Sequence, residues 1–498
     1  MTNLEQIIIM LNNFSIGIVV PVFNLILLDK GSNLQTLPLL LTIYSLTVLS
    51  LELPSGICAD LYGRKRVFLL SCGFKLIFYF LLLSATNIVW LIFTIIFDGI
   101  GRAFSSGSLD ALLIDQALVR HGQSSLTKVT SRMAVLEGSS MAVGGLVGGF
   151  VSKVTGTYQA NISLSAVLTI LLLVLCSIFI REQLAPAPKQ HTTLIKHIQH
   201  GKDLIFSTPQ FALLLMGVFF VGFLLSTIET YWQPYFTQIS SGQNSTWMLG
   251  LITFLGFLAV AVGNISVQKL LGKYDNWWSI WSIYHIMRIT FAVCMIVFAF
   301  QKKTIGFVAW YTCIYFCLGT SNVTEATLLN QMTPNRMRAS VLSLHSLLAQ
   351  IGLMAASVFS SLMIMKLQFR GVWLVAGGIL GGYAIMVALI TSKKQSILIT
   401  PQATSNKTGD TILPITSDFL KIEFLKRLRK VNIDAFIYVK NYANKFEIWV
   451  IFKKETPLEV DLQVSQIFCQ LEKEYNNIDM SLFMASEKEL DGHDITSF

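Results

Sequence analysis

The chain has 498 residues, of which 53% are hydrophobic and only 13% charged, and its 37 Lys and Arg against 28 Asp and Glu give a formal net charge of +9. A charged fraction about half that of ordinary soluble domains excludes a single water-soluble core. The basic excess belongs to loops facing anionic lipid rather than to a nucleic-acid surface, and the cysteines lie mostly in apolar runs with no zinc-ligand spacing.

Taken in chain order, apolar runs of about 20 residues, each able to cross ~30 Å of hydrocarbon, predict twelve membrane-spanning helices: 5–29, 36–60, 66–85, 88–118, 130–152, 160–180, 209–236, 246–270, 277–300, 304–333, 338–365 and 370–391. No Lys or Arg precedes the first run and no small-residue cleavage site follows it, so it reads as a retained helix and not a signal peptide. The fourth and tenth runs are long for one crossing and are expected to tilt or to extend beyond the bilayer. The polar connection 181–208 divides the spans six and six. Arg132–Leu136 (RMAVL) opens the fifth span and Arg338–Leu342 (RASVL) opens the eleventh, which predicts two related halves, 1–180 and 209–395, with substrate handled between them near the midplane. One set of loops carries Arg64, Lys65, Arg66, Arg120, Lys128, Arg132, Arg181, Lys269, Lys273, Arg336 and Arg338, whereas the alternate loops are poor in Lys and Arg. The positive-inside rule then places both termini in the cytoplasm, in a plasma or inner membrane. Residues 396–415 read as a flexible linker. Residues 416–498 read as a small cytoplasmic α+β domain, with helices at 417–430 and 458–475 and strands at 435–439, 446–452 and 480–484.

The most informative loop is Leu51–Arg66, LELPSGICADLYGRKR. Gly56 is expected to let two helices approach closely and Gly63 suits a tight turn. Asp60, at the end of the second span, is within reach of Arg64 and of the positive end of a neighbouring helix. The pattern at Gly56, Asp60, Gly63, Arg64 and Lys65 resembles the loop signature of the major facilitator superfamily. Ser106–Asp115 (SGSLDALLID), Glu52–Gly56 (ELPSG), Tyr231–Pro234 (YWQP) and Arg338–Ser343 (RASVLS) resemble elements of a prokaryotic, exporter-like branch of that family. The resemblance covers about residues 1–395. It implies an all-α transmembrane, twelve-helix fold and a gating latch in which Asp115 joins Asp60 and Arg64. The fifth span reads Gly144–Gly149 (GGLVGG), without the Gly-Pro pair of the drug-antiporter signature.

Charged residues inside spans are costly and are functional hypotheses by default. Glu52, Lys75 and Asp98 fall at similar depth on successive spans and predict a mutually neutralising cluster, with Asp98 and Arg102 spaced i, i+4. A second level holds Asp110 and Glu137 in the first half, and Glu325 and His345 in the second. Glu229, beside Trp232, Gln233 and Pro234, is a candidate for lining a cavity that accepts a cationic amphipath. His285 and Arg288 are expected to snorkel or to bind lipid, because the resemblance makes their helix peripheral.

The residues therefore predict a non-enzymatic, secondary active exporter of an amphipathic small molecule, an antiporter with the proton as coupling ion, needing no cofactor or metal. An uptake carrier for a polar metabolite or peptide is the alternative within transport. A transporter-like sensor signalling through the C-terminal domain, by a protein partner or by self-contact, is the alternative outside it.

Overall fold

The computed structural model describes residues 2–106, 108–121, 126–180, 209–240, 246–273, 277–333, 338–399, 423–428, 436–442, 445–452, 458–474 and 479–486. They fall into two compact units, Met1–Leu389 and Ile390–Phe498.

The first unit is helical. Its opening run is three pieces: helix α1 (Asn3–Val19), a 3-10 turn (Val20–Val22) and helix α2 (Phe23–Asp29). A capping box fixes the start, with the Thr2 hydroxyl accepting from the Glu5 N–H and the Glu5 carboxylate accepting from the Thr2 N–H. That carboxylate also pairs with Arg120 at 2.6 Å. The interruption falls at Pro21, which has no N–H to continue the ladder. There follow α3 (Thr36–Tyr62), α4 (Arg64–Ser84), α5 (Ile88–Ser106), α6 (Leu109–His121), α7 (Leu126–Thr155) and α8 (Gln159–Phe179). Beyond residue 208 come α9 (Pro209–Ile239), α10 (Thr246–Lys273), α11 (Trp277–Phe298), α12 (Thr304–Met332) and α13 (Arg338–Ile399).

Among the described residues, ten helices are long and apolar enough to cross a membrane. The ten fall short of the expected twelve at the second run, and at Leu344–Thr391, which holds the eleventh and twelfth end to end. The second is helix α3, Thr36–Tyr62, which covers its whole expected range but is not among the ten. The long fourth run is one apolar span over Ile88–Ile114, described as α5 and α6, with the Ser108 N–H donating to the Ser105 carbonyl. The eleventh and twelfth are two helices that meet within α13 at Gln368, inside the expected gap between 365 and 370, where a φ of 55° and ψ of −177° break the helix.

Within this unit α1 packs on α7 and α8, α3 and α4 pack on α5, and α10 packs on α12 and, across the division between halves, on α7. Glycines on two faces of α7 make both contacts possible. A Cβ on Gly144 would stand 2.5 Å from the Phe14 carbonyl of α1, and one on Gly149 would stand 2.7 Å from the Gly250 Cα of α10. Residues 144 and 148 share one face at i, i+4, and 145 and 149 the next, so backbone meets backbone on either side.

The second unit has strands β1 (Phe436–Tyr442) and β2 (Lys445–Phe452), helix α14 (Leu458–Glu474) and strand β3 (Asp479–Ser486). The sheet order is β1-β2-β3. β1 and β2 are antiparallel, with Phe436 opposite Ile451, and β2 and β3 are parallel, with Phe446 opposite Met480. A parallel pair needs a crossover, which α14 supplies. Ile448, Val450 and Phe452 alternate along β2 and are buried with Val464 and Leu471 of α14 and with Phe424 and Leu428. Of the helix expected at 417–430, only 423–428 lies within the described residues. α13 runs to Ile399, past the expected linker start at 396, and the connections 181–208 and 400–422 lie outside the described residues.

Candidate functional site

The loop that carries the sequence signature is a turn at Gly63, whose φ of 94° is open to glycine and strained for other residues. It lets α4 start directly after α3. Arg64 then donates to the Ala111 carbonyl of α6 at 2.8 Å and Lys65 to the Ser177 carbonyl of α8 at 2.8 Å, so the two cations tie the turn to two further helices. Gly56 behaves differently from the expectation. A Cβ there would meet nothing within 4 Å, so it makes no close helix approach. Its neighbour Ser55 does reach α5, its hydroxyl donating to the Ala103 carbonyl at 2.9 Å, while the close α3–α5 approach is at Gly99, where a Cβ would stand 2.8 Å from Thr47. The side chains of Asp60 and Asp115 lie outside the described residues.

The charged residues of the first half gather around Arg102 of α5, which is exposed. Its guanidinium acts electrostatically on Asp98, Lys75 and Tyr44, and also on Asp110 and Glu137. Lys75 is buried, and its stem packs 3.0 Å from the position of a Cβ on Gly101. The charged groups acting on it are Asp98 and Arg102. Glu52, expected in this cluster, is exposed.

In the second half, α11, α12 and α13 bring three ionisable groups into a row. Arg288 (0% side-chain exposure) pairs with the Glu325 carboxylate (5%), whose other oxygen lies 3.0 Å from Nε2 of His345 (37%). The row thus leads from an accessible imidazole to a sealed guanidinium. The Tyr284 ring lies 5.1 Å from the Arg288 guanidinium carbon, a cation–π contact. The Tyr284 hydroxyl is 3.3 Å from that of Tyr383. This corrects the expectation for α11: Arg288 neither snorkels nor meets lipid, and His285 is buried among Trp281 and Tyr284. The cause is α12, which places Glu325 directly opposite and makes burial of the cation tolerable.

Glu229 of α9 is exposed yet deep in its helix, and accepts a hydrogen bond from the Tyr315 hydroxyl of α12. Tyr315 stacks obliquely on Tyr311 at 4.6 Å, and Tyr311 lies 5.1 Å from Trp232. Trp232 itself is 2% exposed and serves as packing behind the tyrosines. Gln233 is also buried, and points across to the first half, where its amide meets the backbone at Val20 and Asn24. Tyr315 and Asn24 were not singled out from the sequence, and Arg288 was expected to meet lipid rather than Glu325. A tyrosine pair spaced i, i+4 on a helix that also holds Glu325 was the readable signal for Tyr315, whereas nothing local marks Asn24.

A family model described as Major Facilitator Superfamily matches residues 7–324. A relative in Bacillus subtilis (strain 168), described as the uncharacterized MFS-type transporter YxaM, is 25% identical over 268 residues, which cover 52% of this chain and 64% of that protein, under two thirds of its length. Solved structures with a similar fold include the nucleoside transporter NupG (TM-score 0.65, 13% identity, 78% of this chain and 99% of that one). A POT family transporter in complex with 5-aminolevulinic acid is similar too (TM-score 0.61, 12% identity, 78% and 96%). At these identities the likeness to solved structures is one of fold.

Proposed function

The chain belongs to the Major Facilitator Superfamily, and from that premise we propose that this multi-pass membrane transporter is a proton-coupled exporter of an amphipathic cation, working by alternating access. The observation that carries the proposal is the row His345–Glu325–Arg288. A carboxylate held between a buried guanidinium and an accessible imidazole has a route for a proton and an internal partner that the proton would release. Neutralising Glu325 removes the charge that makes burial of Arg288 tolerable, so proton binding favours a rearrangement of α11 against α12. Glu229, accessible and ringed by Tyr315 and Tyr311, supplies the counter-charge and aromatic faces suited to a lipophilic cation. Arg102, with Asp98, Asp110 and Glu137, supplies the ionisable groups of the first half in this reading.

In this reading both termini and the Gly63 turn are cytoplasmic, Asp60 and Asp115 complete a latch with Arg64, and the C-terminal α+β unit is a regulatory or docking module. The test is uptake of lipophilic cations into proteoliposomes under an imposed pH gradient. Glu325→Gln is expected to abolish gradient-driven accumulation while leaving exchange of preloaded substrate, and Glu229→Gln to weaken cation binding about tenfold or more. If a substrate is found and neither variant alters coupling or binding, the proposed sites are wrong. The second reading, uptake of a polar metabolite, draws on the nucleoside and 5-aminolevulinic acid named for the solved relatives, and small peptides and nucleosides belong in the same screen.

A further inference from the structure

The first helix of each half lacks a rung of its hydrogen-bond ladder, and each gap is filled by an amide from the other half. In an unbroken helix the Asn24 N–H would donate to the Val20 carbonyl. Here the Gln233 side chain stands between them: its Oε1 accepts from the Asn24 N–H at 3.0 Å and its Nε2 donates to the Val20 carbonyl at 2.7 Å. The reverse insertion occurs in α9. Pro234 has no N–H, so the Thr230 carbonyl has no donor within its own helix. The Asn24 side chain supplies one, with Nδ2 donating to the Thr230 carbonyl at 3.2 Å and to the Glu229 carbonyl at 2.6 Å. Backbone partners fix which amide atom is oxygen and which is nitrogen. Asn24 is 4% exposed and Gln233 3%, so neither amide has water as an alternative partner in this state. Beside them the Tyr231 hydroxyl donates to the Leu34 carbonyl at 3.0 Å.

We propose that Asn24 and Gln233 form a reciprocal amide clamp that holds the two halves together at this end and sets the ratio of closed to open transporter. The proposal rests on the alternating-access reading, but not on proton coupling or on any substrate. When the halves part, the Asn24 N–H and Val20 carbonyl can re-form their own rung, whereas Thr230 cannot, because Pro234 remains. Closing therefore exchanges one intrahelical bond and several bonds to water for five bonds across the seam. Gln233 is then a gate residue that positions the halves and does not touch substrate.

The clamp is tested on the full-length protein in lipid nanodiscs, with spin labels on encoded non-cysteine residues at the exposed positions Gln35 and Gln238 and distances read by double electron–electron resonance. Gln233→Met keeps the size of the side chain but removes the amide, and is expected to raise the open-to-closed ratio roughly tenfold, the worth of two buried amide hydrogen bonds. Asn24→Leu is expected to do the same, and the double variant to open the seam no further than the stronger single, because both amides serve one clamp. Pro234→Ala gives Thr230 a donor of its own and is expected to shift the ratio in the same direction, although Pro234 itself donates nothing across the seam. Unchanged distances in Gln233→Met and Asn24→Leu, each purified as a monodisperse protein, overturn the clamp. Opening by Gln233→Met with no response to Pro234→Ala overturns the reciprocal filling. If Gln233→Met does not fold, Asn24→Leu and Pro234→Ala decide. No gradient or substrate is needed, so the result stands apart from the transport assay.

Discussion

Arg288 shows how a single residue takes its meaning from a neighbour that sequence distance conceals. Read alone, an arginine in an apolar run is a snorkelling or lipid-binding cation. Paired with Glu325 it is a sealed ion pair, held there by the packing of α11 on α12. Removing one partner of such a pair strands a charge. Arg288→Met is therefore expected to destabilise the protein by roughly 3–5 kcal/mol, measured as a large loss of thermal stability in detergent. The double variant Arg288→Met/Glu325→Gln leaves no stranded charge and is expected to recover most of that stability while remaining unable to couple transport to a pH gradient. If the double variant is as unstable as the single, the pair is not what makes this burial tolerable. Glu325, His345 and Glu229 were legible because a carboxylate or imidazole in a span stands out by its cost. Their partners Arg288 and Tyr315 were not, because which helix faces which is a property of the packed bundle.

At the scale of elements, length and hydropathy carried the helices well and their ends less so. Apolar length is a one-dimensional quantity, so α4, α8, α10 and α12 lie close to their expected ranges. The break at Gln368 falls in the gap expected between 365 and 370, although no Gly or Pro stands at the turning residue. The glycines of α7 were visible as a run, but their division into two faces was not. That division makes separable predictions. Gly149→Val is expected to push α7 from α10 and favour parting of the halves, and the overpacked contact is expected to cost about 1–3 kcal/mol. Gly138→Ala, where a Cβ meets nothing within 4 Å, is expected to leave stability and transport as in the wild type. Thermal melts and transport rates of the two variants check both outcomes, and equal effects would refute the two-faced reading.

For the whole molecule, the break in composition near residue 400 was clear from the sequence, and strands β2 and β3 and helix α14 lie within a few residues of their expected positions. The alternation of Ile448, Val450 and Phe452 is a strong strand signal, and these three side chains are buried in the unit's core. Its task was not legible, since no cluster of chemically active residues marks it. If the unit is regulatory, truncation after Lys394 is expected to change transport rate or its dependence on substrate without altering the gradient requirement. Unchanged kinetics would leave a docking or stabilising role.

Pro234 has a further consequence for how the carrier meets water. The Thr230 carbonyl is a standing vacancy for a donor, filled by Asn24 when the seam is shut. Once the seam parts, only a water molecule can take that place, so hydration must accompany opening and is not merely a later result of it. The closed protein is in this sense the drier one. A solute too large to enter the seam, such as a high-molecular-weight polyethylene glycol, withdraws water from it and is expected to favour the shut form, so that osmotic stress acts on this transporter as a brake without any binding site of its own.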